Sequence, residues 1–193
     1  MSENVSIINY FPSLVARPYL LIKDDHQRKD YQRFWFENTV SFLACVSAAQ
    51  LVQVYNELQD QEDSTDIDQE LIKFISEHAS LTNVGLEHMS LGKWVMMLRE
   101  TTKVLNENKF KSFTVIPELI DFYHGKHGKD NAKLIDKLVS IRNNDAHGEP
   151  IPDHKIQSEL DQRQKIIDQL IDRLGFLQNY EIILPESFEV KGT

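Results

Sequence analysis

The stretch Leu138-Val139-Ser140-Ile141-Arg142-Asn143-Asn144-Asp145-Ala146-His147-Gly148 decides how this chain is read. An apolar helical run ends there in a cluster of polar groups. Gly148 and Pro150 then stop the helix, because glycine takes the left-handed cap and proline cannot continue the hydrogen-bond ladder. A fixed cation (Arg142), an amide (Asn143) and a titratable imidazole (His147) meet at one structural boundary. No other part of the sequence concentrates reactive groups in this way.

Upstream of it, Leu134, Ile135, Leu138 and Val139 supply the core face of the same helix, with Asp130 or Asn131 expected as its cap. Lys129, Lys133 and Lys137 recur every four residues and give a basic stripe on an acidic protein. A solvated face is the plain account of such a stripe. Its run towards Arg142 makes it a candidate track for an anionic partner. The preceding His124-Gly125-Lys126-His127-Gly128-Lys129-Asp130 reads as a glycine-rich loop. His124 and His127 lack a Cys or a third ligand at metal-site spacing, so no metal and no cofactor are expected.

The strongest helical signal runs from about His26 to Leu58. Tyr31, Trp35, Val40, Leu43, Val46, Leu51, Val54 and Leu58 form a stripe that Phe34, Phe36, Phe42 and Val52 widen. A helix so broadly apolar is contacted from several sides. Glu37 lies within this run and needs a partner if it faces inward; otherwise it sits on the polar edge. Further helices are expected at about 67–79, 90–107, with Ser90 as N-cap, and 116–124, with Pro117 in the first turn. Trp94, Met96 and Met97 read as core filling rather than a ligand box. Asp153 is expected to cap a last helix reaching about Leu177, striped by Ile156, Leu160, Ile167, Leu170, Ile171 and Leu174.

The ends differ from this pattern. Residues 1–26, with Pro12 and Pro18 among short apolar pieces, read as an extended, docked segment, and Asp24-Asp25 as a cap for the helix that follows. Residues 27–178 form the helical domain. In 179–193, Tyr180–Leu184 and Ser187–Val190 read as two short strands, a C-terminal β-ribbon or the start of a linker to a further domain. Residues 59–70 form an acidic loop whose charges complement a helix start.

At 193 residues the chain fits one domain or one with a short appendage. Its 41% hydrophobic and 26% charged residues are enough for a sizeable core. No run approaches the roughly 20 apolar residues of a membrane span, and the N-terminus lacks the basic start of a signal peptide. The lone Cys45 fits a reduced, cytoplasmic setting. The net charge of −9 argues against a general electrostatic grip on nucleic acid, although binding depends on how charge is spread over a face.

The Arg142–His147 set suits metal-independent RNA cleavage. An imidazole near its working pKa moves protons between ribose hydroxyl and leaving group, and a guanidinium holds the phosphate in two-pronged fashion. Asn143 would orient the imidazole or the substrate. Arg142 and His147 stand about 140° apart on an ideal helix, so their convergence needs the helix to end between them. A structural account competes: Arg142 would pair with Asp145 or Asp136, and His147 would cap carbonyls.

Arg142-Asn143-Asn144-Asp145-Ala146-His147 resembles the Arg-x4-His motif of HEPN domains. The Phe34–Ala44 helix with Glu37 and the piece Leu91–Arg99 extend the likeness less specifically, the latter towards N-terminal HEPN modules of bacterial signalling or defence proteins. The resemblance implies an all-α bundle of about five to six helices. It implies a homodimeric endoribonuclease acting on single-stranded RNA in a stress or antiviral response, with an antitoxin or a fused effector or sensor domain as partner. Arg142 and His147 would be catalytic, with Asn143 assisting and Glu37 and Asp145 in support; Lys129, Lys133 and Lys137 would bind RNA. The family also contains inactive members used for dimerisation or sensing.

Overall fold

The structure, a computed structural model, describes residues 11–22, 27–59, 89–146 and 152–180. Every regular element among these residues is helical, so the chain is all-α there. The helices are α1 (Ser13–Leu21), α2 (Arg28–Gln59), α3 (Leu91–Leu105), the single turn α4 (Asn108–Lys111), α5 (Pro117–His124), α6 (Gly128–Ala146) and α7 (Asp153–Arg173), with a 3-10 turn at Gly175–Asn179. The expected helix at 67–79, the Asp24-Asp25 cap, the acidic loop and the C-terminal ribbon lie outside the described residues. No described helix is long and apolar enough to cross a membrane.

The 32 residues of α2 make a rod of about 48 Å, and the other helices assemble on it. Its most extensive neighbours are α3 and α1, and α7 packs on it as well. Trp35, Val40 and Leu43 of α2 are almost fully buried with Leu98 of α3, Leu119 of α5 and Ile167 and Ile171 of α7. A second, smaller core joins Leu51 and Val54 to Leu105, Phe110 and Ile120. Small side chains let α2 and α3 approach. Ser47 Oγ lies 2.6 Å from Thr101 Oγ1; one hydroxyl donates across this contact and the other donates to a carbonyl one turn back, Ala44 O for Ser47 or Met97 O for Thr101, so neither is buried unsatisfied.

Several local expectations are corrected. The segment expected to be extended is helical over Ser13–Leu21. Phe11, Val15, Tyr19 and Ile22 are buried at three- to four-residue spacing, a helical stripe that outweighs the proline inside it. The last two helices begin earlier than their acidic residues suggest. α6 starts at Gly128, and Asn131 is buried in its first turn, donating from Nδ2 to Phe122 O at 2.7 Å. Pro152, not Asp153, takes the cap position of α7. Ser90 does cap α3, its side chain accepting from Lys93 N. Phe34 and Val52 are exposed rather than core, at 43% and 59%. Eighteen residues apart, they share one azimuth on the outer side of α2, where Cys45 is also exposed and unpaired.

Candidate functional site

The C-terminal turns of α6 lie between the N-terminal part of α2 and the first half of α7. Leu138 is buried, and Ile141 packs on the core. This fixes the rotation of the helix and turns the flanking polar residues towards its neighbours.

Arg142 is the first of these. Its Nε donates to Glu37 Oε1 at 3.0 Å, across 105 residues of sequence. Both side chains are about one-third exposed, 38% for Arg142 and 32% for Glu37. The bond uses Nε only; among the described residues neither Nη of Arg142 has a partner. Glu37 therefore holds the guanidinium by its inner edge and leaves the outer fork available. The two pairings anticipated for Arg142 on structural grounds do not form. Asp136 is engaged by Arg99, and Asp145 by other cations.

Asp145 anchors the helix end. Arg163 of α7 grips it through two bonds, Nη1 to Oδ2 at 2.6 Å and Nη2 to Oδ1 at 2.9 Å. Lys29 of α2 adds a contact at 3.1 Å. Arg163 is buried, and Asp145 keeps only 12% of its side-chain exposure. Burial pushes the Asp145 carboxyl up, but hydrogen bonds from Arg163 and Lys29 outweigh it and hold the group below its ordinary value. Beside this pair, Gln32 Nε2 donates to Leu160 O at 2.9 Å, and Tyr19 OH donates to Asp168 Oδ1 at 3.0 Å. Helix α6 is thus tied to α2 and α7 within one turn of Arg142.

The other predicted residues that are described are not drawn into this cluster. Asn143 is exposed, and His147 lies outside the described residues. Lys129, Lys133 and Lys137 are all exposed, and Lys133 faces Asp130 at 3.9 Å. In a continuous helix Lys133 stands about 180° from Arg142, and Lys137 about 140°. The lysine stripe therefore runs along a different side of α6 and does not lead to Arg142. His124 Nε2 lies 3.3 Å from Thr102 Oγ1; burial and the nearby Lys111 and Lys103 lower its pKa. Among the described residues no group of three or more His, Cys, Asp or Glu side chains is arranged to hold a metal ion.

Sequence reading missed the groove that Arg142 opens onto. Asn38 and Ser41 of α2, Trp94 of α3, Glu37 and Arg142 line a solvent-open groove of about 270 Å³. Glu37, Asn38 and Ser41 sit within about 100° on one face of α2, a spacing that is legible once Arg142 is known to dock there. Arg163 was missed as well. Its signal was its position: it falls between Leu160 and Ile167 on the apolar stripe of α7, where a cation needs a buried partner.

The chain matches no protein-family profile, no curated protein and no solved structure. The site therefore stands on its own geometry.

Proposed function

We propose that this chain is a metal-independent endoribonuclease of the HEPN type, working as a homodimer on single-stranded RNA in a bacterial stress or antiviral response. The observation that carries the reading is the Glu37–Arg142 contact. A guanidinium held at Nε, with neither Nη paired among the described residues and an open groove beside it, is pre-oriented for two-pronged contact with a phosphate. Such pre-orientation matters because the charge to be stabilised develops on phosphate oxygens in the transition state.

In this reading the ribose 2′-hydroxyl attacks the adjacent phosphorus, the bond to the 5′-oxygen breaks, and a 2′,3′-cyclic phosphate remains. His147 exchanges the protons, Arg142 carries the phosphate charge, and Asn143 assists. Glu37 positions Arg142, and Asp145, locked to Arg163, fixes the helix end that bears the motif. A two-fold dimer would pool two such sets in one cleft.

A second reading, an inactive HEPN-like module for dimerisation or sensing in a larger signalling protein, draws on a different observation. Arg142 and Asp145 both have partners within the fold, as residues with a purely structural role do. Identification of RNA end groups after incubation in chelator separates the two. Cyclic phosphate ends that disappear with His147→Ala support the nuclease. Equal background from wild type and variant supports the module.

A further inference from the structure

We propose that the groove beside Arg142 is a subsite for a single nucleotide, with a preference for adenine. The proposal rests on the reading of Arg142 as a phosphate contact and adds what occupies the space next to it. Three chemically distinct groups converge there from three helices, Asn38 of α2, Trp94 of α3 and Arg142 of α6. Trp94 is half-buried and packed against the main core, so its indole is a fixed platform rather than a swinging side chain. Asn38 is partly exposed, and its side-chain amide has no hydrogen-bond partner among the described residues. It therefore presents a donor and an acceptor side by side. Arg142, held at Nε by Glu37, lines the same groove.

Each group matches one part of a nucleotide. A flat base stacks on an indole whatever its identity. A carboxamide pairs in two-pronged fashion with the N6 and N7 edge of adenine, which offers the complementary donor and acceptor. The guanidinium takes the phosphate. Ser41 donates its hydroxyl proton to Asn38 O at 3.1 Å, which leaves its oxygen able to accept from a ribose hydroxyl. A volume of about 270 Å³ lies just below the range typical of small-molecule pockets, a size for one nucleotide unit rather than a duplex.

The test is titration of AMP into the full chain, followed by calorimetry and by indole emission, beside RNA cleavage by the same preparation. The chain has two tryptophans, and Trp35 is fully buried, so quenching reports on Trp94. The subsite predicts saturable quenching and AMP binding tighter than UMP. Calorimetry should show at least ~10-fold weaker AMP binding for Trp94→Ala and for Arg142→Ala, the low end for loss of one base stack or one charged contact. Adenosine binding should weaken with Trp94→Ala but not with Arg142→Ala. Asn38→Ala, folded by circular dichroism, should abolish the AMP-over-UMP preference. Inorganic phosphate binding as tightly as AMP, or no saturable AMP signal at millimolar concentration, would overturn the subsite. RNA cleavage without AMP binding removes the subsite and leaves the nuclease standing; AMP binding without cleavage does the reverse.

Discussion

Glu37 and Arg142, from helices that are far apart in sequence, meet through a single 3.0 Å bond to the guanidinium Nε. The geometry of that bond matters more than its strength. A contact to Nε orients the guanidinium and leaves its Nη1–Nη2 edge for a phosphate.

The Glu37–Arg142 pair is about one-third exposed on each side, so its contribution to stability is small, under about 1 kcal/mol. Glu37→Ala should therefore leave the unfolding midpoint almost unchanged while lowering cleavage roughly 10-fold through a misplaced guanidinium. Glu37→Gln keeps an acceptor oxygen and should fall between the two. Chemical denaturation and single-turnover cleavage, measured together, check both halves. A large stability loss without a rate effect would make the pair structural.

The Asp145–Arg163 pair behaves differently because it is buried. Asp145→Asn leaves the buried Arg163 charge with only the more distant Glu159, 3.8 Å away, and should cost about 3 kcal/mol at neutral pH. The sign with pH follows from the lowered carboxyl. Its stabilisation is complete above the ordinary value of 3.8 and is lost as the pH falls through the lower folded-state value. Urea unfolding at pH 7 and pH 3 should show the wild-type advantage over Asp145→Asn shrinking at the acid end. An advantage that is unchanged at pH 3 would contradict the assignment.

Gly128 marks a close approach between α5 and α6. A Cβ added there would overlap the carbonyl of Tyr123, a backbone atom that cannot swing aside. Gly128→Ala should destabilise by about 2 kcal/mol, and it should disturb the start of the helix that carries Arg142. Thermal unfolding measures this directly; an unchanged midpoint would show that the turn can open.

Core truncation supplies a reference. Leu98 is fully buried where α3 meets α2, and Leu98→Ala should cost about 3 kcal/mol. Equilibrium denaturation gives the value. A cost below about 1 kcal/mol would mean that the α2–α3 contact is not a rigid one.

The long helices were legible because their apolar spacing is strong over many turns. The α2 stripe through Trp35, Val40, Leu43, Leu51 and Val54 is buried as its period implies. The helix α1 was not, because Pro12 and Pro18 were weighed above the spacing of Phe11, Val15, Tyr19 and Ile22. Helix starts were misplaced for a related reason. Asp130, Asn131 and Asp153 are good capping residues, but Asn131 lies inside the first turn of α6, where its Nδ2 donates to Phe122 O, and the preceding turn decides where the α6 backbone closes.

Within the candidate site, the motif singles out Arg142, and Glu37 needs a partner only if it faces inward; nothing in the sequence shows that the two pair. Such a contact spans 105 residues, and periodicity describes one helix at a time. The same limit hid Arg163 as the partner of Asp145 and Trp94 as a groove wall. The lysine stripe shows the opposite failure. Lys129, Lys133 and Lys137 are regular in sequence, yet the rotation of α6 carries them away from Arg142.

Cleavage of single-stranded RNA in EDTA by wild type, Arg142→Ala and Arg142→Lys tests the central claim most directly, with each variant first shown to be folded. The account predicts 2′,3′-cyclic phosphate products from wild type. It predicts a loss of at least ~100-fold in Arg142→Ala and only partial recovery in Arg142→Lys, since an ammonium lacks the planar fork. Equal cleavage by all three proteins, or none by any of them across diverse RNA sequences, would contradict it.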